Sequence, residues 1–508
     1  MDLDHDACYR ALCQRDARFD GRIFVGVRTT GVYCRPICPA RTPLSKNVTF
    51  FPTAAAAQEA GFRPCLRCRP ETAPDLGAWR GTSNTVSRAL SLIELGALDE
   101  ADVEALATRL GVGERQLRRL FRQHLGASPV AVAQTRRVLL AKQLIHETRL
   151  PMTEIAFASG FGSVRRFNET FQTLFRRPPR ELRRAGGPDI SAGPRGEIVL
   201  LLHYRAPYDW PAMLEFLRQR AIAGVERVAA NSYARSVQLD GAQGTVTVEP
   251  TDGNALRATV RFPKLTALPA IIARLRRVFD LAADPVAIAA HLAKDRTLAP
   301  LIKSRPGLRV PGAWDGFELA IRAVLGQQIS VAAAVRLAGR LVAAYGDRLR
   351  EPDGDLTHAF PRPEALASAD LSSLGMPRSR AAALSAVGAA AEADKHLFDA
   401  NCELDDAVKR LRSIAGVGEW TAQYIALRQL REPDAFPAAD LGLMRAIASR
   451  EGRDHSSSEL LDRAHAWRPW RAYAAQHLWT SAPPRVKTAT GIRAAPERDR
   501  FLLKRSSL

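Results

Sequence analysis

Leu411-Arg-Ser-Ile-Ala-Gly-Val-Gly-Glu-Trp-Thr-Ala-Gln-Tyr-Ile-Ala426 reads as two helices joined by a hairpin with glycine at 416 and 418. Glycines at such a turn let main-chain N–H groups at the start of the second helix approach a phosphate closely. Twenty-two residues beyond Gly418, the stretch Phe436-Pro-Ala-Ala-Asp440-Leu-Gly-Leu-Met-Arg445 sets one acid at a helix start. Taken alone, Asp440 reads as an N-cap. Ala-rich runs of helical period surround the pair from about Asp284-Pro285 to residue 480, which predicts a helical domain over 286–482. Ahead of it, Glu197-Ile-Val-Leu-Leu-Leu-His-Tyr204 and Gly244-Thr-Val-Thr-Val-Glu249 read as strands of a small β domain over 196–285.

The chain has 508 residues, Lys+Arg 73 against Asp+Glu 53, and a formal net charge of +20; 46% of residues are hydrophobic and 25% charged. That balance fits a chain with buried cores and excludes disordered and collagenous classes. At roughly 100–200 residues per domain, the length predicts three or four domains. The excess charge is almost wholly arginine and spread along the chain, which points to nucleic acid before a membrane surface. No run approaches about 18 apolar residues, and the first twenty are too acidic and polar for a secretory leader. A cytoplasmic, nucleoid-associated protein with no membrane partner is expected.

Two Pro/Gly-rich stretches, Glu71 to Gly81 and Arg184 to Gly196, read as linkers. They set off blocks at 1–74 and 82–184, while a basic stretch without periodicity occupies 483–508. The first block holds Cys34-x3-Cys38 and, 26 residues on, Cys65-x2-Cys68. Two chelating pairs on separate turns are what a four-thiolate zinc site requires. A reducing compartment disfavours disulfides, and the polar, Arg-rich surroundings suit an iron–sulfur cluster less well than zinc. Cys8, Cys13 and Cys402 have no matching partners and read as ordinary small side chains. On spacing alone, the metal is a structural staple for a small domain.

In the second block, Asp102 to Leu110 and Glu114 to Arg122 form a helix, a Gly111 turn and a helix. Leu106, Leu110, Leu117, Leu120 and Phe121 would face inward, leaving Arg115, Arg118, Arg119 and Arg122 outside. The pattern recurs 49 residues later in Met152 to Gly160 and Ser163 to Phe171. Two such units can enter successive major grooves roughly 34 Å apart without dimerising. Arg119, Arg165 and Arg166 are candidates for base or phosphate contact, or else they solvate a helix face.

The words around these features carry family resemblances. Phe24 to Arg41 and Ala60 to Pro70 resemble the methyl-phosphotriester acceptor domain of the Ada family. The resemblance implies that Cys34 takes a methyl group from an alkylated DNA phosphate, with Cys38, Cys65 and Cys68 completing a single Zn2+ site. Ile155-Ala-Phe-Ala-Ser-Gly-Phe161 and Arg176-Arg-Pro-Pro179 resemble the AraC-type double helix-turn-helix domain, which implies promoter DNA and RNA polymerase as partners. The hairpin resembles a helix-hairpin-helix, whose bare reading is duplex binding without chemistry. The family also implies a monovalent cation on its loop carbonyls. With Gly224 to Arg235, Pro306 to Gly312, Phe317 to Ser330, Leu374 to Pro377 and Trp467 to Tyr473, residues 197–482 resemble the AlkA-type 3-methyladenine DNA glycosylase.

The fold class these resemblances imply is multidomain and mainly α. It comprises a zinc-bound α+β domain, the double helix-turn-helix, a small TBP-like β domain and a helix-hairpin-helix core. The activity implied is excision of alkylated bases from duplex DNA, with Asp440 stabilising positive charge on the sugar or orienting water. Trp420, Tyr424 and Trp479 would offer π faces to a cationic base, or serve as core. Bifunctional relatives carry lysine at the position of Trp420, so excision without strand cleavage is expected. Gln328 stands where the family has a leucine wedge. No Pro-Cys-His-Arg word occurs, so the alkylguanine transferase of many Ada proteins is not expected. The rival reading is a DNA-binding regulator with an inactive glycosylase module.

Overall fold

The computed structural model describes residues 3–74, 84–99, 101–183 and 197–481. The stretch 483–508, the second linker and residues 75–81 of the first lie outside them. In the first block, α1 (His5–Cys13) and α2 (Ala54–Glu59) accompany β1 (Phe24–Val27), β2 (Val32–Cys34), β3 (Val48–Phe51) and β4 (Arg63–Pro64) in the order β3-β1-β2-β4. β2 and β4 run parallel, Val32 opposite Arg63 and Tyr33 opposite Pro64. That register carries Cys34 and Cys65 to one end of the sheet.

The second block is α3 (Asn84–Glu94), α4 (Val103–Arg109), α5 (Glu114–Leu125), α6 (Pro129–Glu147), α7 (Met152–Ala158) and α8 (Val164–Phe175). Asp102, Ser128 and Ser163 cap α4, α6 and α8 through side-chain oxygens. Gly111 and Gly160 make the two turns at φ +68° and +87°, where a side chain would be strained. Leu117, Phe121 and Leu125 form the buried stripe of α5. Leu120, expected inward, is only half-buried because it sits at the edge of that i, i+4 stripe.

β5 (Glu197–His203), β6 (Glu226–Val228), β7 (Tyr233–Leu239), β8 (Ala242–Thr251) and β9 (Ala255–Arg261) form an antiparallel sheet ordered β5-β9-β8-β7-β6. Alternation sets its faces: Leu256, Ala258 and Val260 are buried while Arg257 and Arg261 are exposed. With α9 (Trp210–Arg218) and α10 (Leu268–Val278) covering it, the unit is α+β. Its core is continuous with Leu144 of α6 and with Ile155, Phe167 and Phe171 of the second helix-turn-helix, whereas Val86 of α3 forms a separate cluster with Leu106 and Phe121 of the first.

The remainder is helical: α11 (Pro285–Leu292), α12 (Ala299–Ser304), α13 (Gly316–Leu325), α14 (Val331–Tyr345), α15 (Pro363–Ala367), α16 (Arg378–Ala393), α17 (Leu404–Arg412), α18 (Glu419–Ile425), α19 (Leu441–Glu451), α20 (Ser457–Ala464) and α21 (Arg471–Ser481). A π-helical segment, Ala426–Leu430, extends α18. Helical periodicity missed one hairpin, β10 (Arg348–Asp353) with β11 (Leu356–His358). Gly354, at φ +58°, turns it, and Leu349 and Leu356 pack on Ala234 of β7.

Buried charges join the blocks. Lys142 of α6 is fully buried and donates to the Cys65 carbonyl (3.0 Å) and to Glu71 (2.5 Å). Arg69 bridges Glu71 and Glu147, and Glu147 accepts the N–H of Leu201 in β5. The stretch from Glu71 therefore starts as a packed turn and not as a linker. Burial pushes the Lys142 pKa down; it also pushes Glu71 up, and Lys142 and Arg69 more than offset that. Lys142→Met is expected to destabilise the fold by about 3–5 kcal/mol by leaving a buried carboxylate oxygen of Glu71 and the Cys65 carbonyl without their donor. Denaturant titration measures the loss, and adding Glu71→Leu recovers most of it.

Candidate functional site

The sulfurs of Cys34, Cys38, Cys65 and Cys68 lie within 4.8 Å of one another. A tetrahedral zinc with bonds of about 2.3 Å sets its sulfurs about 3.8 Å apart, so the four residues fit the ion. The N–H groups of Arg35 and Arg67 each point at a sulfur, Cys68 and Cys65, at 3.3 Å. Sulfur-to-sulfur hydrogen bonding lowers the pKa of Cys38 and Cys65 and raises those of Cys34 and Cys68. Such a set shares protons that a divalent cation displaces. Cys34 is half-buried while the other three are buried. Cys38 is set by a local turn in which its own N–H donates to the Arg35 carbonyl at 3.1 Å, and Cys65 follows β4 directly, its N–H donating to the Tyr33 carbonyl at 3.0 Å.

On α5 and α8, Arg119, Arg165 and Arg166 are exposed. Arg165 pairs with Glu169 at 2.8 Å. Arg122 differs from these: it pairs with Glu59 of α2 at 2.7 Å and ties α5 to the first block.

In the helical core, Asp440 caps α19, accepting the Leu443 N–H at 3.0 Å. The indole N–H of Trp420 donates to its Oδ2 at 2.8 Å, and that of Trp479 to its Oδ1 at 2.9 Å. Trp420 stacks on Tyr424 with centroids 5.3 Å apart, and Tyr424 meets Trp479 edge-on at 6.2 Å. The cap carboxylate and the three rings are therefore one arrangement. Gly416 and Gly418 are exposed, and Gly416 has φ +85° with no room for a side chain, since a Cβ would lie 2.2 Å from that of Ala383. Gln328 is the exposed tip of the loop before α14, at φ +59°.

Several residues here escaped the sequence reading. Gln327 donates to the Gly416 carbonyl and to Thr421 Oγ1, both at 3.0 Å, and ties the Gln328 loop to the hairpin. Gly442 leaves space for the carboxylate, because a Cβ there would lie 2.9 Å from Asp440 Oδ1 and 3.3 Å from Trp479. The buried Arg428 holds its guanidinium 4.9 Å from the Tyr424 ring and 5.3 Å from that of Trp479. Burial raises the Tyr424 pKa, but Arg428 and Arg220 more than offset this and leave it lowered. A glycine two residues past a cap was the one signal on offer for Gly442; Arg428 had none.

Residues 7–71 match the metal binding domain of Ada, 106–185 a helix-turn-helix domain, 199–315 the AlkA N-terminal domain and 321–472 the HhH-GPD superfamily of base excision DNA repair proteins. Fold and sites together define a zinc-thiolate, helix-turn-helix regulator joined to a helix-hairpin-helix base-excision fold. Over 499 residues the chain is 43% identical to the probable bifunctional transcriptional activator/DNA repair enzyme AlkA of Mycobacterium tuberculosis, covering 96% of this chain and 100% of that one. It belongs to that family. It is also 36% identical to DNA-3-methyladenine glycosylase 2 of Escherichia coli (55% of this chain, 95% of that one). To the bifunctional transcriptional activator/DNA repair enzyme Ada of the same organism it is 33% identical (34% and 47%). Among the described residues no helix is long and apolar enough to cross a membrane.

Proposed function

We propose that this DNA-binding protein excises alkylated bases as a monofunctional 3-methyladenine-type DNA glycosylase and takes methyl groups from DNA phosphotriesters onto Cys34. The observation that carries the excision reading is the carboxylate of Asp440, gripped by two indole N–H groups beside the hairpin glycines. Three donors occupy three of about four lone-pair sites and fix its orientation. A flipped alkylated base is already a good leaving group, so the chain's task is to hold the nucleotide and stabilise charge on the sugar. Asp440 does the latter and orients the water that adds to C1′. Trp420, Tyr424 and Trp479 line the base pocket. Gly416 and Gly418 present N–H groups to a backbone phosphate, with a monovalent cation on neighbouring carbonyls, and Gln328 enters the gap left by the flipped base.

At the other end, the Cys34 sulfur attacks the methyl carbon; an S–C bond forms, and the phosphate oxygen leaves with its electron pair as a diester. Bound zinc supplies the deprotonated thiolate at neutral pH. Arg119, Arg165 and Arg166 contact promoter DNA, the second partner is RNA polymerase, and the protein works at the nucleoid. Labour divides along 1–74, 82–184, 196–285 and 286–482.

The excision reading is tested with duplex DNA carrying 3-methyladenine and 7-methylguanine: free base without strand breaks is expected, and breaks in step with release would refute monofunctional chemistry. Gly442→Ala crowds the carboxylate and is expected to slow single-turnover release roughly 10- to 100-fold while the circular dichroism spectrum is retained.

A further inference from the structure

The pocket rings are not free π faces. The Arg428 guanidinium sits 4.9 Å from the centroid of Tyr424, 5.3 Å from that of Trp479 and 4.4 Å from that of Phe216. It is anchored from behind by the Pro311 carbonyl at 2.8 Å and by Gln476 at 3.4 Å, and among the described residues its Nε has no hydrogen-bond partner. Only 3% of the residue is exposed. It is placed by the π-helical segment Ala426–Leu430, the kind of irregular turn that is frequent at functional sites. Trp479 holds Asp440 directly, and Tyr424 stacks on Trp420, which holds its other oxygen. One buried cation therefore touches both aromatic arms of the site.

Two consequences follow from charge alone. A cation on a ring drains the electron density that attracts a second cation, so Tyr424 and Trp479 bind a positively charged base less well than bare rings would. When the C1′–N bond breaks, the base departs with the electron pair. A cationic base leaves neutral, whereas a neutral base leaves as an anion that must take a proton as water adds to C1′ and releases one. A fixed positive charge behind the pocket opposes binding of the first and stabilises departure of the second. At roughly 7 Å and an effective dielectric of about 20, a unit charge changes such a rate more than tenfold.

We infer that Arg428 is a positioning residue that sets the balance between neutral bases, which leave as anions, and cationic ones. The inference rests on the glycosylase reading of the Asp440 site. It is tested by single-turnover release from duplexes carrying one hypoxanthine, a neutral base, and from duplexes carrying 7-methylguanine, a cationic one. For Arg428→Met the ratio of neutral to cationic release falls at least tenfold, and for Arg428→Lys, which keeps the charge, it stays within about threefold of the parent. Equal losses on both substrates in Arg428→Met, or a parent that releases the cationic base and no hypoxanthine, would overturn the inference and leave the glycosylase reading standing. A parent that releases neither base would sink that reading itself.

Discussion

Asp440→Asn is expected to slow base release about a thousandfold while DNA affinity changes less than about threefold. A unit charge roughly 4 Å from the sugar carbon, at an effective dielectric of about 20, is worth about 4 kcal/mol, which converts to that factor. The geometry adds a second loss. Both carboxylate oxygens accept an indole N–H, from Trp420 and Trp479, whereas an amide offers one acceptor and would turn its NH2 toward one of these donors. Helix α19 keeps its start, because asparagine caps as well as aspartate. Single-turnover release and equilibrium binding to the same lesion duplex separate the outcomes. Parallel loss of binding and release would mean that Asp440 serves DNA docking and not the chemical step.

Cys34→Ser is expected to abolish methyl uptake entirely. Intact-mass analysis of the parent after exposure to methylated DNA shows one added methyl group, which peptide mapping locates on Cys34; the variant gains none. The three buried sulfurs of Cys38, Cys65 and Cys68 keep the metal in place, with weaker affinity. Methylation turns one thiolate into a thioether and removes one negative charge from the cluster. At roughly 7 Å from a phosphate this relieves about 2.4 kcal/mol at an effective dielectric of about 20. DNA affinity of the methylated parent should therefore rise at least tenfold, and the rise should shrink with added salt. Methyl uptake on another cysteine would transfer the acceptor role; none on any would leave the metal a staple.

What could be read in the chain before its structure is what local spacing encodes. Cys34, Cys38, Cys65 and Cys68 are legible because chelating pairs must sit within a turn of one another. Gly111 and Gly160 mark their turns because only glycine tolerates the φ there at no cost. Asp440 is legible as a cap, and its carboxylate also accepts the indole N–H groups of Trp420 and Trp479. Contacts that depend on the folding of distant segments left no mark. Lys142 meets Glu71 across 71 positions, and nothing local to α6 marks it. Nothing in the stretch after Tyr424 announces the π turn that buries Arg428 against three rings. The β10–β11 hairpin was overlooked for a simpler reason: three- and six-residue strands are too short for an alternation to stand out from Ala-rich helix, although Asp353-Gly354 is a turn signal.

Repair of bases and sensing of phosphate damage by one chain can be read out in a single reaction. The protein is incubated with duplex DNA methylated on bases and phosphates, and mass spectrometry reads the released bases and the intact protein from the same sample. Free 3-methyladenine in multiple turnovers together with one methyl group per protein, no more, is expected. Released base with unmodified protein, or modified protein with no released base, would contradict the joint role.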